Sequence, residues 1–529
     1  MSRRLIIARR ILTGGGEPGA TALAIQEGRV VGTGRPEDFA TWTGPQTAVT
    51  RIPKHVVSPG FVESHAHLLW MGQVRHFVDC STPPNTTVAD ILSRIREQAG
   101  RVPAGTWVIG FHYDEGLLAE GRPPTLDELT AAAPAHPVYI THNSGHLAIT
   151  NRRALERARL TDDQRTPGVM HDAAGHLTGV LREAAALDLV SRHLPVPSLD
   201  DKVRFIDEAS QAAWAVGTTA MTDAAMGLAR PDATQADWAA YQAAEERGVL
   251  GVRTVCYARA PEATSYVPAP YCTSWLQTGG VKLFADGSIQ GHTGALSAPY
   301  HDNPSEHGML LYDVPTLTHV MEVHHRAGRQ ILIHCNGDAA IDLALDAFAA
   351  VLPPRPHCYR HRIEHAQMAT RAQLHRMATL GVLPSFFVGH VHHYGDRHHD
   401  LYLGPERGRR ISPVQEAVEA GLLFSLHSDA PVTPLDPLHS IRVAVERKTQ
   451  GGRTLGPTQR VRAEAAFLAY TRWAAYLGLR EQSTGSLDPG RLADFTVLDG
   501  NPLDWRSEGD NSPVQVLSTW VGGEERFRR

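Results

Sequence analysis

Six side chains suited to holding a cation stand at the ends of short apolar runs: His65 and His67 in PGFVESHAH, Lys282 in GGVKLFADGS, His334 in RQILIHCNG, His365 in YRHRIEHAQ and Asp429 in GLLFSLHSD. In an extended run the two imidazoles of His-Ala-His point the same way, because strand residues two apart share a face. Imidazole and carboxylate together suit zinc, iron, nickel or manganese. A single histidine at a strand end is ordinarily structural. Several independent runs that all end in metal-type ligands point instead to a metal site.

Lysine and arginine together number 51, yet lysine occurs only at Lys54, Lys202, Lys282 and Lys448. Lys54, Lys202 and Lys448 sit in polar stretches and read as surface residues. Lys282 lies within an apolar run, where a charged amine is costly unless paired or chemically altered. Arginine never loses its proton in a protein, whereas a buried lysine can become a neutral nucleophile or be modified. The plainer alternative is an ion pair with nearby Asp286.

The elements that must position these residues alternate. Apolar runs recur at 59–65, 216–224, 250–258, 279–287, 329–337, 359–367, 381–389 and 421–429, with helical segments between most of them, such as ATQADWAAYQAAEERG and DAAIDLALDAFAAVL. Such alternation predicts a parallel sheet, and eight strands make a closed (β/α)8 TIM barrel the natural α/β architecture. Active sites of such barrels lie at the C-terminal strand ends, where the six residues fall. The predicted organisation is residues 1–57 as the N-terminal part of a β-sandwich and 58–70 as the first barrel strand with its metal loop. Residues 71–205 form a large insertion over the barrel mouth, 206–475 the rest of the barrel, and 476–529 the C-terminal part of the sandwich. Each terminal β-rich piece is too small to bury a core alone, so the two are expected to form one composite domain.

At 529 residues, with 42% apolar and 20% charged residues, the composition is that of a soluble globular enzyme. A net charge of −5 gives no reason to expect nucleic acid or an anionic membrane as partner. MSRRLIIARRILTGGG is too short in apolar residues for a signal segment, and no run approaches a membrane span. The 5 cysteines are odd in number, scattered and without a CxxC, which predicts reduced thiols in the cytoplasm.

The ordered set of motifs resembles the amidohydrolase superfamily, and more narrowly its branch containing N-substituted formamide deformylases and related metal-dependent hydrolases. PGFVESHAH resembles the first-strand HxH motif, with Glu63 where aspartate is usual. VKLFADGS resembles the fourth-strand motif, HCNGDAAIDLALDAF the fifth, RHRIEHAQ the sixth, SLHSDAPV the eighth, and GSLDPGRLADFTVLD the returning C-terminal β segment. The resemblance implies two divalent metals, zinc first, with iron, manganese or nickel as options. His65 and His67 would hold the more buried ion with Asp429, and His334 and His365 the more exposed one. Lys282, N6-carboxylated by CO2, would bridge them; some relatives instead use one metal and an unmodified residue there. The implied reaction is attack of a metal-bound hydroxide on an amide-type C–N bond of a small-molecule substrate, an N-substituted formamide or another N-acyl amine, with Asp429 as proton shuttle. A deaminase or cyclic-amide hydrolase on the same metals is the alternative, and a metal-free scaffold is disfavoured by the complete ligand set. Homo-oligomerisation is compatible with the resemblance, and no residue pattern specifies a dimer over a tetramer.

Beyond the ligands, His146 and Asn143 in THNSGHLAIT are the expected substrate contacts from the insertion. Asp286 is read as orienting Lys282 or a ligand imidazole, and Asp338 as the cap of the helix that follows it. No substrate role is assigned to His292. The histidine-rich stretch GHVHHYGDRHHD (389–400) is expected to be a polar, partly solvated loop lining the entrance.

Overall fold

A computed structural model describes residues 3–15, 19–228, 230–353, 358–508 and 511–529. All eight apolar runs form strands of one parallel sheet. In order these are Phe61–Ala66, Thr218–Met226, Arg253–Arg259, Leu276–Phe284, Gln330–Cys335, Arg362–His365, Leu383–Phe386 and Ser425–Leu426. Neighbours in sequence pair in register around the ring, for example Lys282 beside Leu332 and His334 beside Glu364. The last and first strands are closed by side chains: Ser64 Oγ donates to Leu426 O at 3.2 Å, and Glu63 accepts from Ser428 N and Oγ at 3.2 and 2.8 Å. The structure is thus a (β/α)8 barrel whose apolar core lies between the strands and their outer helices.

Close approach of the first and second strands explains Gly60, where an added Cβ would stand 2.1 Å from Thr219 Oγ1. Strands from both chain ends share one seven-stranded sheet. Thr47–Pro59 pairs with Phe495–Leu498 on one side and with Arg3–Ile11 on the other. That sheet curls so that Ile6, Ile25, Val30, Phe495 and Trp520 enclose a common core.

Residues between the first and second barrel strands carry more order than their sequence suggests, a six-stranded mixed sheet of their own. Its strands Val138–His142 and Leu147–Thr150 flank the turn bearing His142, Asn143 and His146. Bidentate bonds from Arg397 to Asp114, at 2.7 and 2.6 Å, tie this sheet to the barrel. Among the described residues no helix is long and apolar enough to cross a membrane.

Three expectations need correction. Lys202 is not a surface residue: it is buried and donates to Asp237 Oδ1 at 2.7 Å. Asp338 does not cap its helix; the cap is Gly337, and Asp338 instead accepts from Ser297 N at 2.9 Å and from its hydroxyl. The segment 389–400 is not a solvated loop but a run of short helical turns, with His390 and His398 buried against Phe387, Tyr394 and Tyr402.

Candidate metal centre

The strand ends bring the six residues together at the barrel mouth. The ligand atoms of His65, His365 and Asp429 lie within 4.8 Å of one another, and all three residues are buried. Asp429 Oδ1 is 3.2 Å from His67 Nε2 and 3.5 Å from His65 Nε2. Lys282 Nζ stands 3.2 Å from His65 Nε2, so its hydrogen-bond partner is an imidazole and not Asp286. His334 joins the cluster through its ring, 4.5 Å from that of His365, while its Nε2 lies 3.1 Å from both Gly287 O and Asn336 Nδ2.

Electrostatics follow from burial. Desolvation, reinforced by the neighbouring cationic groups, holds His65, His334 and His365 well below the usual imidazole range, so each is a neutral ring with a lone pair. Burial likewise lowers Lys282 to about 8 against the pull of Glu364 and Asp429, which makes a neutral amine accessible near physiological pH. Imidazole lone pairs are thus crowded around one carboxylate with too few hydrogens to share. His67 Nδ1 and Asp429 Oδ1 are buried without hydrogen-bond partners. This donor set fits a divalent cation.

Several residues that hold the ligands carry no signal of their own in the sequence. Glu364, at 2.5 Å from His65 Nδ1, takes that nitrogen's hydrogen and leaves the Nε2 lone pair free for the site. The Glu364 carboxylate is in turn gripped by Arg362 at 2.7 and 2.9 Å, both side chains fully buried. His427 stacks on His65 at 4.8 Å, places Nε2 3.1 Å from His365 Nδ1, and has Nδ1 2.8 Å from Ser385 Oγ. Glu63 joins the first and last strands and is pushed up to about 8 by burial. Glu364 and His427 lie inside quoted motifs, and the one available clue was a charged or imidazole group within an otherwise apolar run.

Asp286 accepts three backbone bonds, from Ala295, Asn336 and Gly337 at 3.0, 2.9 and 2.7 Å, and lies 3.5 Å from His334 Nε2. It therefore anchors the loops beside His334 and leaves Lys282 alone. His365 and Asp429 have φ of 69° and 54°, a left-handed conformation that costs a non-glycine residue about 1–3 kcal/mol and is typical of functional sites.

From the insertion, His146 reaches the cluster with its ring 5.0 Å from that of His334. Asn143 instead donates Nδ2 to Asp114 at 2.9 Å, and its Oδ1 is buried without a partner. His292 pairs with Asp302 at 3.0 Å, apart from the cluster. Trp70 packs edge-on to His67 at 5.8 Å, and a cavity of about 560 Å³ lined by Phe77, Phe111, His112 and Pro431 opens between insertion and barrel.

Comparison with known proteins accords with this geometry. Residues 55–527 match the model of the Amidohydrolase family. The chain is 28% identical to N-substituted formamide deformylase of Arthrobacter pascens, covering 96% of this chain and 95% of that one. It is equally 28% identical to protein LONG AFTER FAR-RED 3 of Arabidopsis thaliana, over 96% and 89% of the two chains. Among solved structures, an uncharacterised metal-dependent hydrolase from Pyrococcus horikoshii superposes with a TM-score of 0.75 at 25% identity, covering 96% of this chain and 99% of the other. With a family match spanning all eight barrel strands and the C-terminal piece of the composite sheet, the chain belongs to the amidohydrolase family.

Proposed function

We propose that the protein hydrolyses the C–N bond of an amide-type small molecule, an N-substituted formamide or another N-acyl amine, to a carboxylic acid and an amine. The observation that carries this reading is the placement of Asp429. Its Oδ1 lies 3.5 Å from His65 Nε2 and 3.2 Å from His67 Nε2, and its side chain keeps 13% exposure where those of His65 and His67 keep 1% and 7%. Two divalent ions, zinc foremost, would be held by His65, His67, His334, His365, Asp429 and an N6-carboxylated Lys282. When bound they would supply Lewis-acid polarisation of the carbonyl and a water of lowered pKa.

The chain's own groups do the rest. Asp429 takes a proton as water oxygen adds to the carbonyl carbon, then returns it to the nitrogen as the C–N bond breaks. Glu364 keeps the His65 ring oriented throughout, and burial keeps the Lys282 amine reactive toward CO2. His146 offers its ring to the substrate from the insertion side. Similarity to a formamide deformylase over nearly the whole chain supports the amide class. The two exposed cysteines, Cys272 and Cys358, and the three buried ones are all free thiols, as suits a cytoplasmic protein.

The test is product analysis of the zinc-loaded protein against N-substituted formamides, other N-acyl amines, cyclic amides and amino-heterocycles. Release of a substituted amine with its acid is expected. Ammonia release from amino-heterocycles alone would instead establish a deaminase.

A further inference from the structure

The insertion pairs the expected substrate contact His146 with a carboxylate, Glu183, to which neither the metal ligands nor the substrate contacts named above assign a role. His146 and Glu183 are joined twice: Glu183 N donates to His146 O at 2.8 Å, and His146 Nδ1 lies 2.9 Å from Glu183 Oε2. The imidazole is nearly closed off and the carboxylate more so, with side-chain exposures of 15% and 5%. The ring centroid lies 6.4 Å from that of Phe284 and 5.0 Å from that of the metal-ligand candidate His334, which are themselves 5.4 Å apart. Its Nδ1 is committed to the carboxylate, which leaves Nε2 as the one ring nitrogen free for another partner.

Holding this pair costs the fold something. Glu183 adopts φ of 63°, a left-handed conformation unfavourable for a residue with a Cβ. Its second oxygen, Oε1, is buried with no hydrogen-bond partner. The backbone opposite is glycine for a steric reason: a Cβ on Gly287 would stand 2.1 Å from Oε1. Gly287 belongs to the fourth-strand ADGS stretch, and its carbonyl faces His334 Nε2 at 3.1 Å. A strained backbone, an unpaired oxygen and a glycine cradle thus converge on one carboxylate beside the ligand cluster. Strain of this kind persists where the surrounding structure holds it for function.

We infer that Glu183 is a positioning residue that fixes His146 by its Nδ1, so that Nε2 contacts the carbonyl oxygen of the substrate. The inference rests on the amide-hydrolase reading for its substrate, while the pairing itself is independent of it. The insertion then completes the reactive site as well as covering it.

The experiment is a double-mutant cycle with Glu183→Gln, His146→Ala and the combined variant, each assayed with its metal content measured. Glu183→Gln is expected to lower kcat about 10- to 100-fold with KM and bound metal unchanged. In the His146→Ala background the same change should cost less than about twofold, because coupled residues are not additive. Gly287→Ala, whose Cβ would stand 2.1 Å from Oε1 and 2.2 Å from Thr293 Oγ1, crowds the carboxylate without replacing either partner and should reproduce the loss with metal retained. Multiplicative losses, or loss of metal in Glu183→Gln, would overturn the inference. A one-dimensional proton spectrum without substrate supplies the second readout. The downfield imidazole N–H resonance that His146→Ala abolishes should move upfield in Glu183→Gln, and a resonance unmoved by Glu183→Gln would also overturn it. A wild-type protein inert toward every amide, with the resonance in place, would refute the amide reading and leave the pairing standing.

Discussion

Replacing Glu364 with glutamine separates two jobs that one carboxylate performs inside the barrel. Glu364 neutralises Arg362, both fully buried and joined at 2.7 and 2.9 Å, and it also orients the His65 ring at 2.5 Å. Removing one partner of a buried ion pair strands the other charge and costs about 3–5 kcal/mol. Losing the carboxylate that fixes a metal-binding imidazole costs about 10- to 100-fold in metal affinity, or about 1.4–2.8 kcal/mol. The two losses should part company in the double variant Arg362→Met/Glu364→Gln. Removing the stranded guanidinium should restore most of the stability, while metal affinity stays low because His65 still lacks its carboxylate. Urea denaturation of the metal-free proteins reads the first quantity, and competition against a chromophoric chelator reads the second. If Glu364→Gln bound metal like the wild type, or if the double variant regained affinity along with stability, the proposed orientation of His65 through Glu364 would be wrong.

Other expectations follow from individual contacts. Asp429→Asn should lower kcat by at least about 100-fold while some metal remains, as steady-state kinetics with elemental analysis would show; near-normal turnover would remove Asp429 as the proton shuttle. Arg397→Met leaves the buried Asp114 with only the neutral donors Asn143 Nδ2 and Gly116 N, and loss of its cationic partner should destabilise the protein by about 3–5 kcal/mol in denaturant titration. His324 is fully buried beside Arg329, and burial followed by that cation lowers it to about 4. The unfolded chain then binds the proton between about pH 6.5 and 4, so stability should be complete above that window and fall by roughly 3 kcal/mol as pH drops through it. His324→Asn should flatten this part of the stability curve, and an unchanged slope would contradict the assignment.

The barrel was legible because strands buried on both faces read as continuous apolar runs, and each of the eight predicted runs forms a strand. The gathering of the candidate ligands was legible because they end those runs. What escaped depends on distant partners. His65 and Glu364 meet across 299 positions, so the charge in RHRIEHAQ could not be matched with its target from spacing alone. Lys202 reads as a surface residue beside Asp200 and Asp201, yet the helix Leu199–Ala215 turns it inward to Asp237, 35 residues on. The sheet within the insertion was hidden because its strands are short and separated by segments rich in proline and glycine, which resembles loop. His390 and His398 appear polar in a histidine-rich stretch, but as neutral rings they pack among aromatic side chains.

The central claim is that this strand-end cluster is a metal site bridged by a modified lysine. The most direct test is the metal content per chain of protein purified without chelator, measured with the folded-state mass and compared with Lys282→Ala. Two divalent ions and a CO2 adduct in the wild type, both lost in Lys282→Ala, are predicted. No bound metal after incubation with zinc or manganese and bicarbonate would contradict the account.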